Sequence, residues 1–254
     1  MTGNTWRSLG VVPLALAGAV ALGVSPAITQ ASAVGVKTVL AEAKLLNTES
    51  WIMGGSGTPI PPPDYLTDVS ERFIDPVSPF FNGQPRFPVN ATNPLFTPEG
   101  LYPDTGVKTL PLDTSLAQGV SILNSTITNQ IAGGNNLVVL GYSQSATISS
   151  LEMRDLLGLP VSQQPNADQL SFVLLGDPSN PHGGLLERFD VPVGGSSPTI
   201  PSLGITFSGA TPSDTPWDTA IYSGEYDGYA DFPRYPINLL ADLNAVLGIL
   251  FVHD

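Results

Sequence analysis

Ser143 stands in the string Gly141-Tyr-Ser-Gln-Ser145, which by itself arises easily by chance. Its flanks carry more weight. Leu137–Leu140 is a short unbroken apolar run, which reads as a strand buried on both faces. Ala146–Leu157 carries an imperfect helical stripe of apolar side chains that Gly158 and Pro160 bring to an end. Strand, tight turn and helix together form the setting in which a serine is pushed outward as a nucleophile. Small residues at Gly141 and, in place of a second glycine, Ser145 let the chain turn sharply. The bland alternative is a structural serine at a strand end. A nucleophilic serine needs a base, and the chain has two histidines, His182 in "DPSNPHGG" and His253 after a final apolar stretch. Where the nucleophile sits on a strand-turn-helix elbow of this kind, the triad runs serine, acid, histidine along the chain, and both histidines follow Ser143. Asp177 lies five residues before His182 on one loop, so this pair would approach the serine from one edge. Asp227, in "YSGEYDGYADFP", follows a strand end and precedes His253, so each member would come from a separate loop at one end of a sheet. His253 is therefore preferred to His182, and Asp227 leads Asp177, Asp231 and Glu225. Gly228 marks a turn that lets Asp227 reach across, whereas Asp231, before Phe232-Pro233, fits a turn cap.

Acyl transfer also needs donors for the oxyanion. The backbone N–H after the nucleophile belongs to Gln144. A second is expected from the Gly-rich turn "MGGSGTP", near Ser56, with Gly57 and Thr58 as neighbouring alternatives. No Gly-Lys-[Ser/Thr] follows that turn, so it does not read as a phosphate loop.

The elements that must position these groups follow from periodicity. Leu116, Val120, Leu123, Ile127 and Ile131 predict an amphipathic helix capped by Asp113 or Thr114 and ended by Gly133-Gly134, leading into the strand before Ser143. "SFVLLGDP" and "TAIYSGEYD" read as further strands, and "INLLADLNAVLGILFVH" as a helix. "SWIMGGSGTPIPPP" reads as a short apolar run, a turn, and a proline run that no helix could enter immediately. Residues 74–113, rich in Pro, Asn and Phe, read as a long surface excursion with short local elements. Residues 179–216 are dense in Gly, Pro and Ser; Phe189, Ile200, Leu203, Ile205 and Phe207 there suit an apolar lid, against the plainer reading of a surface insertion. Strands alternating with helices predict one α/β domain with a mostly parallel sheet, over residues 49–254 after a lead-in at 34–48.

Composition bounds the function. Nine Lys plus Arg against 22 Asp plus Glu, with no basic run, argues against a nucleic-acid partner. There is no cysteine, hence no disulfide framework, thiolate zinc site, cysteine nucleophile or lipobox-type lipid anchor; neither a cofactor nor a metal is expected. Arg7, the apolar stretch "LGVVPLALAGAVALGV" and the small residues Ala31 and Ala33 predict a secretory signal over residues 1–33 cleaved after Ala33, or an N-terminal anchor in the alternative. Either places the remainder outside the cytoplasmic membrane, secreted or at the cell envelope.

"GYSQSA", "GDPSNPHGGLLERF" and "YSGEYDGYADFPRYPINLLADLNAVLGILFVH", with "TPEGLYPDTG" and "SLAQGV", resemble the PE-PPE domain, a cutinase-like serine α/β-hydrolase domain of bacteria with mycolic-acid-rich envelopes. The resemblance runs from about Thr48 to the end and is carried chiefly by the long C-terminal block. It implies an α/β-hydrolase fold and a serine esterase or lipase acting on lipid acyl esters, with contact to a membrane or envelope surface. By motif it puts the nucleophile on Ser143, the acid on Asp227 and the base on His253. It also implies, as an alternative, an acyltransferase moving fatty acyl groups between trehalose-type glycolipids. A rival of another class is a non-catalytic envelope-binding protein on the same fold. Many members begin with a PE or PPE helical domain; the signal-like segment here favours general export instead. The family usually runs on past the histidine, so a shortened sequence is expected.

Overall fold

A computed structural model describes residues 47–254 apart from 79, 81–87, 236 and 254. The signal-like segment and nearly all of the lead-in lie outside the described residues. The central sheet takes β1 (Asn47–Ile52), β2 (Ala91–Pro94), β3 (Asn135–Tyr142), β4 (Leu170–Leu175) and β7 (Asp218–Tyr222) in the order β2-β1-β3-β4-β7. All four pairings are parallel. The helices are α1 (Pro63–Val69), α2 (Leu112–Ala132), α3 (Gln144–Leu157), α4 (Leu185–Arg188) and α5 (Leu239–Phe251). A separate antiparallel pair joins β5 (Thr199–Ile200) to β6 (Ile205–Thr206).

Successive strand residues point to opposite faces, so the apolar run of β3 feeds two cores. Leu137 and Val139 join Phe172, Leu174 and Trp217 on the face that α2 and α3 cover with Leu116, Leu123, Ile127, Ile148 and Met153. Val138, Leu140, Val173 and Leu175 join Ile52, Val69 and Ile74 on the other. Full burial of each such side chain contributes about 1.5–3 kcal/mol, so β3 and β4 are the stable centre of the sheet.

The imperfect stripe of α3 has a simple cause. Its residues from Gln144 to Ser150 are all buried, so no polar face is needed. The hydroxyls of Ser149 and Ser150 are satisfied by donating to carbonyls one turn back, at Ser145 and Ala146. In α2, a Cβ on Gly119 would stand 2.3 Å from Ile148 Cδ1, so this glycine sets how closely the two helices cross.

Three expectations are corrected. Neither Asp113 nor Thr114 caps α2, which starts at Leu112 after Pro111, and the Asp113 carboxylate accepts from Thr206 instead. The proline run does enter a helix at once: α1 begins at Pro63, because proline tolerates the first helical position, where its missing N–H costs no bond. Residues 74–113, expected as a surface excursion with short local elements, hold such an element but do not lie wholly at the surface. They contain edge strand β2, and Leu95, Thr97 and Glu99 after it are buried. A proline ending a short edge strand disrupts no further pairing.

Candidate active site

Ser143 links the end of β3 to the start of α3 with φ +56° and ψ −116°, a strained conformation for a residue with a side chain. Local contacts hold it there. Its N–H donates to Leu175 O at 2.9 Å. The Tyr142 N–H donates to Ser145 Oγ at 2.8 Å. Ser145 is thus more than a small residue standing in for glycine, since its hydroxyl accepts a backbone bond inside the turn. Gly141 has no such latitude, because a Cβ there would lie 2.6 Å from Ser145 O.

The turn aims Ser143 Oγ at His253 Nε2, 2.7 Å away. His253 Nδ1 lies 2.8 Å from Asp227 Oδ1. That oxygen also accepts the N–H groups of Tyr229 at 3.0 Å and Ala230 at 3.2 Å, which fixes the carboxylate in its turn. A carboxylate can only accept, so Nδ1 carries the proton and Nε2 is left to accept the Ser143 hydroxyl. The imidazole is stacked on Tyr142 with ring centres 5.4 Å apart and meets the edge of Tyr229 at 4.7 Å. The Tyr142 hydroxyl donates to the His253 carbonyl. All three side chains are buried.

The Gly-rich turn after β1 rides on this elbow. A Cβ on Gly55 would stand 2.9 Å from the Tyr142 ring and 3.3 Å from Ser143 Cβ. Gly57 takes φ +83°, closing a turn in which Thr58 N–H donates to Gly55 O at 2.9 Å. Ser56 Oγ donates to Gln144 Oε1 at 2.9 Å, and Gln144 Nε2 donates to Ser115 Oγ at 2.6 Å. The two residues expected to supply oxyanion donors are thus tied to each other and to the start of α2. Gln144 opens α3, so its N–H has no partner within the helix and faces the dipole's positive end.

The rival candidates lie elsewhere. His182 and Glu225 are exposed. Asp177 is fully buried, with Oδ2 accepting from Thr211 Oγ1 at 2.6 Å and Oδ1 from Ser179 N–H at 2.8 Å. Burial pushes its carboxyl up to about 6. Asp231 is exposed and donates its N–H to Asp227 O at 2.8 Å.

Sequence reasoning missed four contributors. Gly176 (φ +54°) ends β4 where a Cβ would stand 3.0 Å from Asp227 Oδ2 and 3.1 Å from His253 Cε1. Its place in "GDP" after a strand was the available signal. Tyr142 and Tyr229, which bracket the imidazole, gave no signal beyond lying beside Ser143 and Asp227. Glu99 sits at φ +49° and accepts the Gly57 N–H on its carbonyl at 2.8 Å. Burial pushes its carboxyl up to about 8, against the opposing effect of its bond to Thr97.

The residues 88–254 match the PE-PPE domain model. The chain is 48% identical over 203 residues to Esterase PE16 of Mycobacterium tuberculosis (strain ATCC 25618 / H37Rv), covering 80% of this chain and 35% of that protein. It is 31% identical over 169 residues to SL1278 acyltransferase Chp1 of the same strain, covering 64% of this chain and 38% of the relative. Among solved structures it is similar to lysin B from Mycobacteriophage D29, with TM-score 0.45 and 16% identity over 78% of this chain and 74% of the other. The chain spans about a third of the length of the first curated relatives it matches, between 30% and 40%.

Proposed function

Because this chain belongs to the PE-PPE domain family, we propose that it is an exported serine hydrolase of acyl esters working through Ser143, His253 and Asp227. The observation that carries the reading is the hydrogen-bonded series from Ser143 Oγ to His253 Nε2 at 2.7 Å and from Nδ1 to Asp227 Oδ1 at 2.8 Å. Ser143 Oγ attacks the ester carbonyl while Nε2 takes its proton, and Asp227 holds the ring and stabilises the cation. The N–H groups of Gln144 and of the loop near Ser56 receive the oxyanion. Collapse of the tetrahedral adduct expels the alcohol, which takes the proton from His253 and leaves the acyl group on Ser143. Water, deprotonated by the same imidazole, then releases the acid and restores the hydroxyl. The similarity to a protein named as an esterase supports the reaction class.

The test is a fluorophosphonate probe with nitrophenyl ester turnover on the same sample. The parent protein is expected to label and to turn over ester, and Ser143→Ala to lose both. Labelling that survives Ser143→Ala would remove the assignment.

A second reading is favoured by the relative named as an acyltransferase. There an acceptor hydroxyl, rather than water, attacks the acyl-enzyme. Product analysis with an acyl donor and a trehalose glycolipid separates the two. Acylated glycolipid supports transfer, and free fatty acid alone supports hydrolysis.

A further inference from the structure

Helix α5 is built inside out for a helix of a water-soluble domain. Such helices normally turn an apolar stripe to the core. Here the buried residues of α5 are Ala245 and Gly248, while Leu239, Leu240, Leu243, Leu250 and Phe251 are 79%, 81%, 55%, 62% and 78% exposed. The small residues are there because the helix packs backbone to backbone on the acid loop. A Cβ on Gly248 would stand 1.9 Å from Tyr226 O, and one on Gly228 1.9 Å from Ala245 O. The large side chains apart from half-buried Ile249 therefore have only the outside left to occupy. Exposed apolar surface of this extent on one helix marks a contact site.

Two further observations identify the occupant. From Tyr235 to His253 there is no Lys or Arg, and Asp242 is the one acid. A protein partner's polar rim would find little to pair with, and an anionic headgroup would find no cation on α5 itself, with Arg234 just before it lying over the Tyr235 ring, while meeting a chain of net charge −13. The helix also ends two residues before His253, whose imidazole touches Ser143 Oγ. A surface that seats α5 thus lies beside the reacting serine.

We propose that α5 is the docking surface for an uncharged lipid–water interface, bringing the catalytic site to esters presented in aggregates. This rests on the ester-hydrolase reading. The experiment is flotation of the full chain carrying Ser143→Ala with phosphatidylcholine vesicles, so that binding is read without turnover. Binding is expected at low and high salt alike, and to weaken as phosphatidylglycerol replaces phosphatidylcholine. The triple variant L240D/L243D/L250D is expected to bind at least about tenfold more weakly, since several methylenes leave the hydrocarbon on each change, while L240M/L243M/L250M retains binding. In the Ser143 background the Asp variant should lower the ratio of emulsified to dissolved ester turnover by a similar factor. Equal vesicle binding by the Asp variant overturns the proposal. So does a requirement for anionic lipid. A dimer in light scattering that α5 substitutions split, without vesicle binding by the parent, assigns the face to a second copy and overturns it too. Vesicle binding with no ester turnover in the Ser143 protein would instead count against the hydrolase reading alone.

Discussion

A side chain at Gly176 would meet the carboxylate of Asp227 and the ring of His253 together, on a backbone at φ +54° that disfavours any Cβ. Gly176→Ala is expected to lower kcat by about 10- to 100-fold, because displacing the reacting groups by a fraction of an ångström costs alignment. Stopped assays on a nitrophenyl ester check this. Asp227→Asn is expected to lower kcat about 10²- to 10⁴-fold through the lost orienting carboxylate, whereas Asp231→Asn should stay within about threefold of the parent. Collapse in Asp177→Asn with full activity in Asp227→Asn would instead transfer the role to Asp177. What was legible at this scale is the grouping of Ser143, His253 and Asp227. Ser143 announces itself through covalent neighbours, since strand, small residue and helix are all within a few positions of it. Asp227 and His253 were reachable through chain order and the scarcity of histidines. Gly176, Tyr142 and Tyr229 act through packing between residues that are distant in sequence or ring against ring, and no spacing rule reports that. Ser145 looked like a space-filler, but its hydroxyl accepts the Tyr142 N–H.

The strands and long helices were readable because their apolar residues recur at the right period, and β3 and β4 are buried on both faces. Strand β2 was not: four residues of Ala-Thr-Asn-Pro carry no apolar signal, and only pairing with β1 makes them a strand. The segment 179–216 is fastened to the body at several points. Thr211 Oγ1 donates to Asp177, Arg154 donates to the Ser208 and Ala210 carbonyls, and Thr206 bonds to Asp113 through both its N–H and hydroxyl. Those partners are polar and far apart in sequence, so composition could only suggest an insertion. Thr211→Val would leave the buried Asp177 oxygen without its donor. We expect about 1–3 kcal/mol of lost stability, read as a lower urea midpoint. Where α5 crosses the acid loop, Gly248→Ala forces two backbones apart. It is expected to cost about 1–3 kcal/mol and to reduce turnover, because the same helix leads to the base.

Among the described residues, three carboxyls are raised by burial: Glu99 to about 8, Glu152 to about 7 and Asp177 to about 6. Each holds its proton more tightly folded than unfolded, so the folded state binds more protons between the ordinary carboxylate value and the raised one. Stability therefore falls as pH rises through that window, and the last loss comes as Glu99 ionises near 8. Melting temperature should decline from about pH 5 to about pH 9, and Glu99→Gln, isosteric and uncharged, should raise it at the alkaline end by at least about 2 °C and flatten the profile. A profile unchanged by Glu99→Gln would assign the decline to the other two. The small inward side of α5 has a different consequence. Native proteins open in pieces, and a piece held by few buried side chains opens at a lower free energy than the core. Since α5 buries only Ala245 and Gly248 yet leads directly to His253, rising urea should extinguish probe labelling before the sheet melts. Two midpoints, inactivation first and loss of circular dichroism later, would measure how loosely the base is tethered.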